Sequence, residues 1–286
     1  MSAMRIWLGL AVLLGFGINV QAVPTTNGLY AAVATTKGTF YCYLHYGLTP
    51  RTVANFVGLV TGTKDWLDYS KGTVVQKPFY PGLTFHRVIK GFMIQGGSPN
   101  GQGNDDPGYT FRNEIVSTLK HDKPGVLAMA NAGNTNSNGS QFYVTVSQQT
   151  NLDGKYTVFG QVVEGMNIVS NINAVATDAN DRPLAPVVIT NLTILRIGTA
   201  ASNFNAGAVS PALPVPKVKM SAIKLQGTNM ILSWFPLAGY GYRLCETGDM
   251  KSWVGGYFGT SGAANVNSYY NTYAYVFFRV VESKID

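Results

Sequence analysis

Short apolar and aromatic runs, punctuated by Gly, Asn, Asp and Pro, recur along most of the chain. Residues 29–36 and 39–44 predict two strands joined at Lys37-Gly38, a hairpin signal. Phe40, Cys42 and Leu44 share one face of the second strand, so Cys42 reads as buried apolar filler, not as a reactive thiol. The period then changes. Thr49 offers an N-cap and Pro50 the first helical position. Val53, Phe56, Val57 and Val60 follow at helical spacing, and Gly62 closes the helix. Residues 83–89 and 92–95 predict strands broken at Lys90-Gly91, and 96–108 a polar loop. Strands are expected at 125–131 and 141–147 around an Asn/Gly-rich loop, 132–140, and again at 156–163. A short helix at 166–172, with Val169 and Ile172 inward, precedes a last strand at 187–197. Many short strands with two helices suggest a closed antiparallel barrel with helical lids.

The pattern breaks at 199–217, which is rich in Ala, Ser, Asn and Pro and reads as a semi-extended linker. Beyond it, 230–235, 241–245 and 273–281 alternate again, with Trp234 and Trp253 as core candidates. A small all-β, sandwich-like module is expected there, near the lower size limit for independent folding. The expected organisation is a leader at 1–22, a main domain at 23–198, a linker at 199–218 and the small module at 219–286.

The leader rests on Arg5, an apolar run over 6–18, and Val20-Gln21-Ala22: a basic start, a hydrophobic stretch and a small-x-small cleavage site. The run is shorter than the ~20 residues a membrane-spanning helix needs. The expectation is export to the periplasm or beyond the cell, with no stable membrane insertion after cleavage.

Composition narrows the chemistry. At 286 residues the chain is long enough for nearly two domains of ~150 residues. Charged residues are only 12%, which excludes a long charged coiled coil. The net charge of +7 is spread without a Lys/Arg cluster, so no nucleic-acid partner is expected. Two cysteines make no disulfide framework. His45, His86 and His121 have no metal-ligand spacing, so no metal is expected. The 96–108 loop lacks a phosphate-binding fingerprint, and no GxSxG elbow is present. No cofactor is expected. Asn138-Gly-Ser and Asn191-Leu-Thr match the glycosylation pattern, and the first is read as a chance match.

Three blocks carry most information: FHRVIKGFMIQGG at 85–97, GVLAMANAGNTNSNGSQFY at 125–143 and LDGKYTVFG at 152–160. In this order, and with the helix motif TVANFV, they resemble the cyclophilin family of peptidyl-prolyl isomerases from about residue 29 to 197. The resemblance implies a mainly β fold, an eight-stranded antiparallel barrel closed by two helices. It implies rotation of X-Pro bonds in proline-containing polypeptides, with Arg87 as the catalytic donor. It places Phe92, Met93, Tyr143 and Leu152 in a proline pocket. It assigns Gln95, Ala130, Asn131 and Gln141 to binding the substrate backbone and orienting the arginine, with His86 and Tyr156 also at substrate-binding positions. Two positions depart from well-known cytosolic members: Asn151 stands where they carry Trp, and Tyr156 where they carry His. The missing Trp puts sensitivity to cyclosporin in doubt more than catalysis. The competing expectation is a non-catalytic exported peptide-binding or adhesion protein working through the C-terminal β module, whose partner the sequence does not identify.

Overall fold

The computed structural model describes residues 21–68, 73–133 and 137–209, and beyond them the backbone of strands between 220 and 284. The leader expected at 1–22 falls almost wholly outside the described residues, as does the second part of the linker, from residue 210.

Strands β1 (Gly28–Thr35) and β2 (Gly38–Leu44) form the expected hairpin, in register from Thr35↔Gly38 to Tyr30↔Tyr43. Helix α1 (Pro50–Thr61) follows and ends at Gly62, whose positive φ of 73° suits a residue without Cβ. Its N-terminus is held differently from expectation. The Thr49 side chain makes no cap; its hydroxyl donates to the His45 carbonyl at 3.3 Å. Instead the Glu114 carboxylate accepts the Arg51 and Thr52 backbone N–H groups at 3.1 and 2.6 Å. A carboxylate there satisfies free donors and complements the helix dipole.

A small hairpin, β3 (Trp66–Asp68) with β4 (Thr73–Val75), was not expected from the pattern. Then come β5 (Arg87–Ile89), β6 (Met93–Gly96), β7 (Val126–Met129), β8 (Phe142–Thr145) and β9 (Val158–Glu164). Helix α2 (Met166–Asn173) and strand β10 (Ile189–Ile197) follow. One eight-stranded antiparallel sheet results, in the order β10-β1-β2-β9-β7-β8-β6-β5. No ladder joins its two edge strands. The seam carries one isolated bridge, Thr84↔Val188, and backbone hydrogen bonds such as Phe85 N–H to Val187 O at 3.0 Å. The sheet is therefore curled, with a seam where full closure was expected; residues 83–86, expected as strand, run along this seam.

Period-2 alternation splits the side chains of β5–β9 between two faces. Val88, Ile94, Leu127, Val144 and Phe159 enter the main core with the inner faces of both long helices. Phe56 on α1 sits 5.2–5.7 Å, ring to ring, from Tyr80, Phe142 and Phe159. Burying each such ring contributes roughly 1.5–3 kcal/mol. Cys42 is wholly buried in this core, and burial pushes its thiol pKa far up, so it is apolar filler as expected. The opposite face of the same strands builds the site described below.

Past β10 the chain does not leave the main domain at residue 198. A short helix α3 (Thr199–Ser202) buries Ala201, and Phe204 and Ala206 pack against the core. One terminal nitrogen of the Arg196 guanidinium donates to the carbonyls of Ala201 and Phe204 at 2.8 and 2.7 Å. The first ten residues expected as linker therefore belong to the packed unit. Farther on, β11 (Met220–Gln226), β12 (Asn229–Trp234), β13 (Tyr240–Thr247), β14 (Val254–Gly259), β15 (Ala263–Val266) and β16 (Phe277–Lys284) pair antiparallel in two three-stranded sheets, β11-β12-β15 and β14-β13-β16. The core expected around Trp234 and Trp253 lies outside the described side chains.

Candidate active site

Arg87 opens β5 and stands directly opposite Gln95 on β6; Gln95 in turn stands opposite Tyr143 on β8, and Tyr143 opposite Ala128 on β7. The antiparallel register therefore lines these side chains up across one outer face. A second apolar cluster forms on that face from Met93, Val126, Ala128, Tyr143 and Val158, with Phe92, Ala130, Leu152 and Tyr156 half-buried around it. All four residues assigned to the proline pocket lie in this cluster. Tyr156 adds its ring edge-on to Tyr143 at 5.8 Å.

Beside the apolar patch lies a polar cavity of about 210 Å³ lined by Gln95, Asp105, Asp106, Ala130, Asn131 and Gln141, among others. Its amides are fixed. Gln95 Nε2 donates to Gln141 Oε1 at 3.0 Å, and Gln141 Nε2 donates to the Asp105 carbonyl at 2.9 Å. The Asn131 side-chain amide donates to the Lys155 carbonyl at 3.1 Å. Close approach of the two glycine-bearing loops is obligatory here: a Cβ on Gly97, at φ +87°, would meet the Ser140 carbonyl at 2.5 Å. Asn138 is fully buried in the neighbouring loop and donates to Asn113 Oδ1 at 2.7 Å, so it has no room for a glycan.

Arg87 is bound differently from the expectation that Gln95 and its neighbours orient it. Its Nε donates to Asp181 Oδ2 at 3.4 Å, and both side chains are about half exposed, 47% and 41%. Asp181 lies 94 positions away on the loop after α2, in the left-handed region at φ 62°. Its carbonyl also accepts the Val88 N–H at 2.8 Å, tying that loop to β5. An exposed pair of this length is worth at most ~1 kcal/mol. The guanidinium is thus tethered through Nε, and its side chain is about half exposed. Sequence reasoning missed Asp181, because nothing local marks it.

His86 is buried at 8% exposure; its ring nitrogens approach the Thr84 backbone and Gln141, but neither makes a hydrogen bond of good geometry. Burial, reinforced by the charges of Arg182 and Arg87, pushes its pKa down to about 4. A folded-state value below the ordinary 6.5 means that the unfolded chain takes up the proton first as pH falls. The stabilisation is complete above pH 6.5 and is lost as pH falls toward 4. The gap corresponds to about 3 kcal/mol at ~1.4 kcal/mol per pH unit. His45 and His121, also lowered chiefly by burial, act in the same direction. Asp105, whose carboxyl burial raises, opposes them at the acid end. Urea midpoints are therefore expected to be lower at pH 4.5 than at pH 7, with a shallower slope in His86→Leu. An unchanged slope in that variant would remove His86 from the account.

Among the described residues, no group of three or more His, Cys, Asp or Glu side chains could hold a metal ion, and no helix is long and apolar enough to cross a membrane. What this face offers is an apolar bed, a row of fixed amides and, in register beside them, the half-exposed guanidinium of Arg87.

The comparisons agree with this geometry. Residues 30–194 match the family model described as cyclophilin type peptidyl-prolyl cis-trans isomerase. The chain is 48% identical over 166 residues to peptidyl-prolyl cis-trans isomerase A of Mycobacterium tuberculosis, covering 57% of this chain and 91% of that protein. It is 44% identical over 169 residues to peptidyl-prolyl cis-trans isomerase B of Streptomyces anulatus, covering 58% and 96%. A crystal structure of a cyclophilin type isomerase from Cryptosporidium parvum superposes with a TM-score of 0.51 at 30% identity, covering 59% of this chain and 98% of that one. A second structure of that protein, in the presence of the dipeptide Ala-Pro, gives 0.50 at 29%. With the family model spanning more than half its length, this chain belongs to the cyclophilin-type peptidyl-prolyl cis-trans isomerases.

Proposed function

We propose that this enzyme rotates X-Pro bonds in exported polypeptides without covalent chemistry, and that Arg87 stabilises the twisted amide. Rotation must break amide resonance, at a barrier of ~18–20 kcal/mol. In the twisted state the prolyl nitrogen is pyramidal and basic, whereas in the planar ground state its lone pair is delocalised. A donor aimed at that nitrogen binds the transition state better than the substrate, which is the condition for raising kcat. Arg87 suits this role: it stays charged, its fork is rigid, and Asp181 occupies only Nε. The proline ring rests on Phe92, Met93, Tyr143 and Leu152, and the flanking peptide reaches Gln95, Ala130, Asn131 and Gln141. Side-chain amides held by neighbours rather than by water cost little to reorganise when substrate binds. The observation that carries the reading is the register Arg87↔Gln95↔Tyr143, which sets the cation beside the apolar cluster on one face.

The leader over residues 1–22 supports export, to the periplasm or outside. Residues 219–286 are proposed to form a separate β module whose partner is open, and the linker is proposed to begin near residue 210. A protease-coupled assay on a proline-containing peptide tests both halves of this proposal. The fragment 23–209 is expected to turn over as fast as 23–286. The fragment 23–198, which loses the packing of Ala201, Phe204 and Ala206, is expected to be less stable by at most about 3 kcal/mol, the scale of one large side chain, the half-buried Phe204. An inactive 23–209 beside an active longer chain would mean the two parts are one unit.

A further inference from the structure

Beneath the apolar cluster lies a hydrogen-bonded chain that the isomerase reading does not use. His121 is fully buried, and its ring stacks on that of Tyr143 at 6.0 Å and 15°. His121 Nε2 is 2.9 Å from the Tyr143 hydroxyl, and Nδ1 is 3.0 Å from Asp153 Oδ1. The same carboxylate oxygen accepts the His121 backbone N–H at 2.8 Å, and Lys120 Nζ lies 3.8 Å from the other oxygen.

The proton positions follow from these partners. Burial opposes ionisation of Asp153, but the His121 hydrogen bonds and the Lys120 charge outweigh it and hold the carboxyl below its usual pKa. An ionised carboxylate only accepts, so Nδ1 must carry the ring proton. Burial keeps the imidazole neutral, which leaves Nε2 as an acceptor. The Tyr143 hydroxyl is then the donor. Burial pushes the phenol pKa well up, so the hydroxyl keeps its proton throughout the working range.

We propose that Asp153 and His121 are positioning residues that lock the Tyr143 ring, and through it the shape of the proline-binding surface. A bare phenyl ring at this place would be held by packing alone and could rock about its χ2 axis. Here the phenol is fixed at its hydroxyl end by a chain anchored on two segments 32 positions apart. Tyr143 therefore presents one defined face to Met93, Leu152 and Tyr156. The role concerns substrate fit rather than the twist itself, because no member of the chain reaches Arg87. It rests on the reading of this groove as the proline site.

The test is a double-mutant cycle with KM and kcat read separately. His121→Phe keeps a ring of similar size but leaves the buried phenol without its acceptor. It is expected to raise KM about three- to tenfold, the scale of one net hydrogen bond, with kcat near that of the unmodified chain. In the Tyr143→Phe background there is no hydroxyl to orphan, so the same substitution should leave KM unchanged. An equal rise in both backgrounds overturns the proposal, since the role of His121 would then be structural and independent of Tyr143. Nitrogen NMR of the His121 ring in the unmodified chain needs no variant to fold. It should find Nδ1 protonated and Nε2 bare; a protonated Nε2 also overturns the proposal. Failure of the isomerase reading would look different: no turnover by the unmodified chain, whatever the tautomer.

Discussion

Arg87→Ala is expected to fold normally and to lose ~10²–10³ in kcat/KM, the scale of one transition-state donor. Normal folding is expected because the Arg87 side chain is about half exposed and its hydrogen bond, to Asp181, is long and solvent-facing. The loss should fall on kcat more than on KM, because the amide nitrogen becomes a good acceptor only when twisted. Arg87→Lys should restore little: an ammonium is a point charge without the rigid fork. Asp181→Asn, by contrast, removes an interaction worth at most ~1 kcal/mol and should cost no more than several-fold. The protease-coupled assay, with circular dichroism as the folding control, checks all three. An Arg87→Ala protein that is folded and comparably active would remove Arg87 from the mechanism and leave the apolar cluster to account for catalysis.

The contrast between Arg87 and Asp181 also marks what could be read from residues alone. Arg87, Phe92, Met93 and Gln95 sit in one continuous block, and strand alternation already separates Arg87, Met93 and Gln95 from the inward Val88 and Ile94. Local order carried that information. Partners supplied from far along the chain left no local trace. Asp181 reaches Arg87 across 94 positions, and Glu114 caps α1 from 62 positions away. Glu114 also displaced the expected Thr49 cap, because a two-oxygen anion satisfies two N–H groups where a hydroxyl satisfies one. The β3–β4 hairpin was invisible because three-residue strands are too short to show a period. Residues 199–208 have linker composition, yet the Arg196 guanidinium gathers their carbonyls and returns them to the core. The spacing of His121 speaks against a metal site and gives no hint that Asp153 and Tyr143 close on its two nitrogens.

Cyclosporin is expected to inhibit this enzyme poorly, and the reason lies in a single side chain at the groove's edge. Asn151 sits exposed on the 3₁₀ turn Thr150–Leu152, next to Leu152 of the apolar cluster. Cyclosporin-sensitive members of the family carry Trp at this place, where the indole supplies a broad apolar face and one N–H donor. Asn keeps a donor, but on a shorter arm and with almost no apolar area. The position can therefore neither cover the drug nor reach its acceptor at the same distance. Losing a large aromatic contact together with an aligned hydrogen bond costs a few kcal/mol; at ~1.4 kcal/mol per decade, that is ~10²-fold or more in affinity. Turnover should not follow the same course, because Arg87, Phe92, Met93 and Tyr143 are all in place and Asn151 stands outside their cluster. Asn151→Trp tests the separation directly. Because the turn is exposed, the indole can be added without repacking the core, and it should recover part of the inhibition while leaving kcat/KM nearly unchanged. Inhibition of the unmodified enzyme as tight as in Trp-bearing relatives would show that the drug is held by the apolar cluster alone. A variant that gained turnover along with inhibition would place residue 151 inside the substrate site.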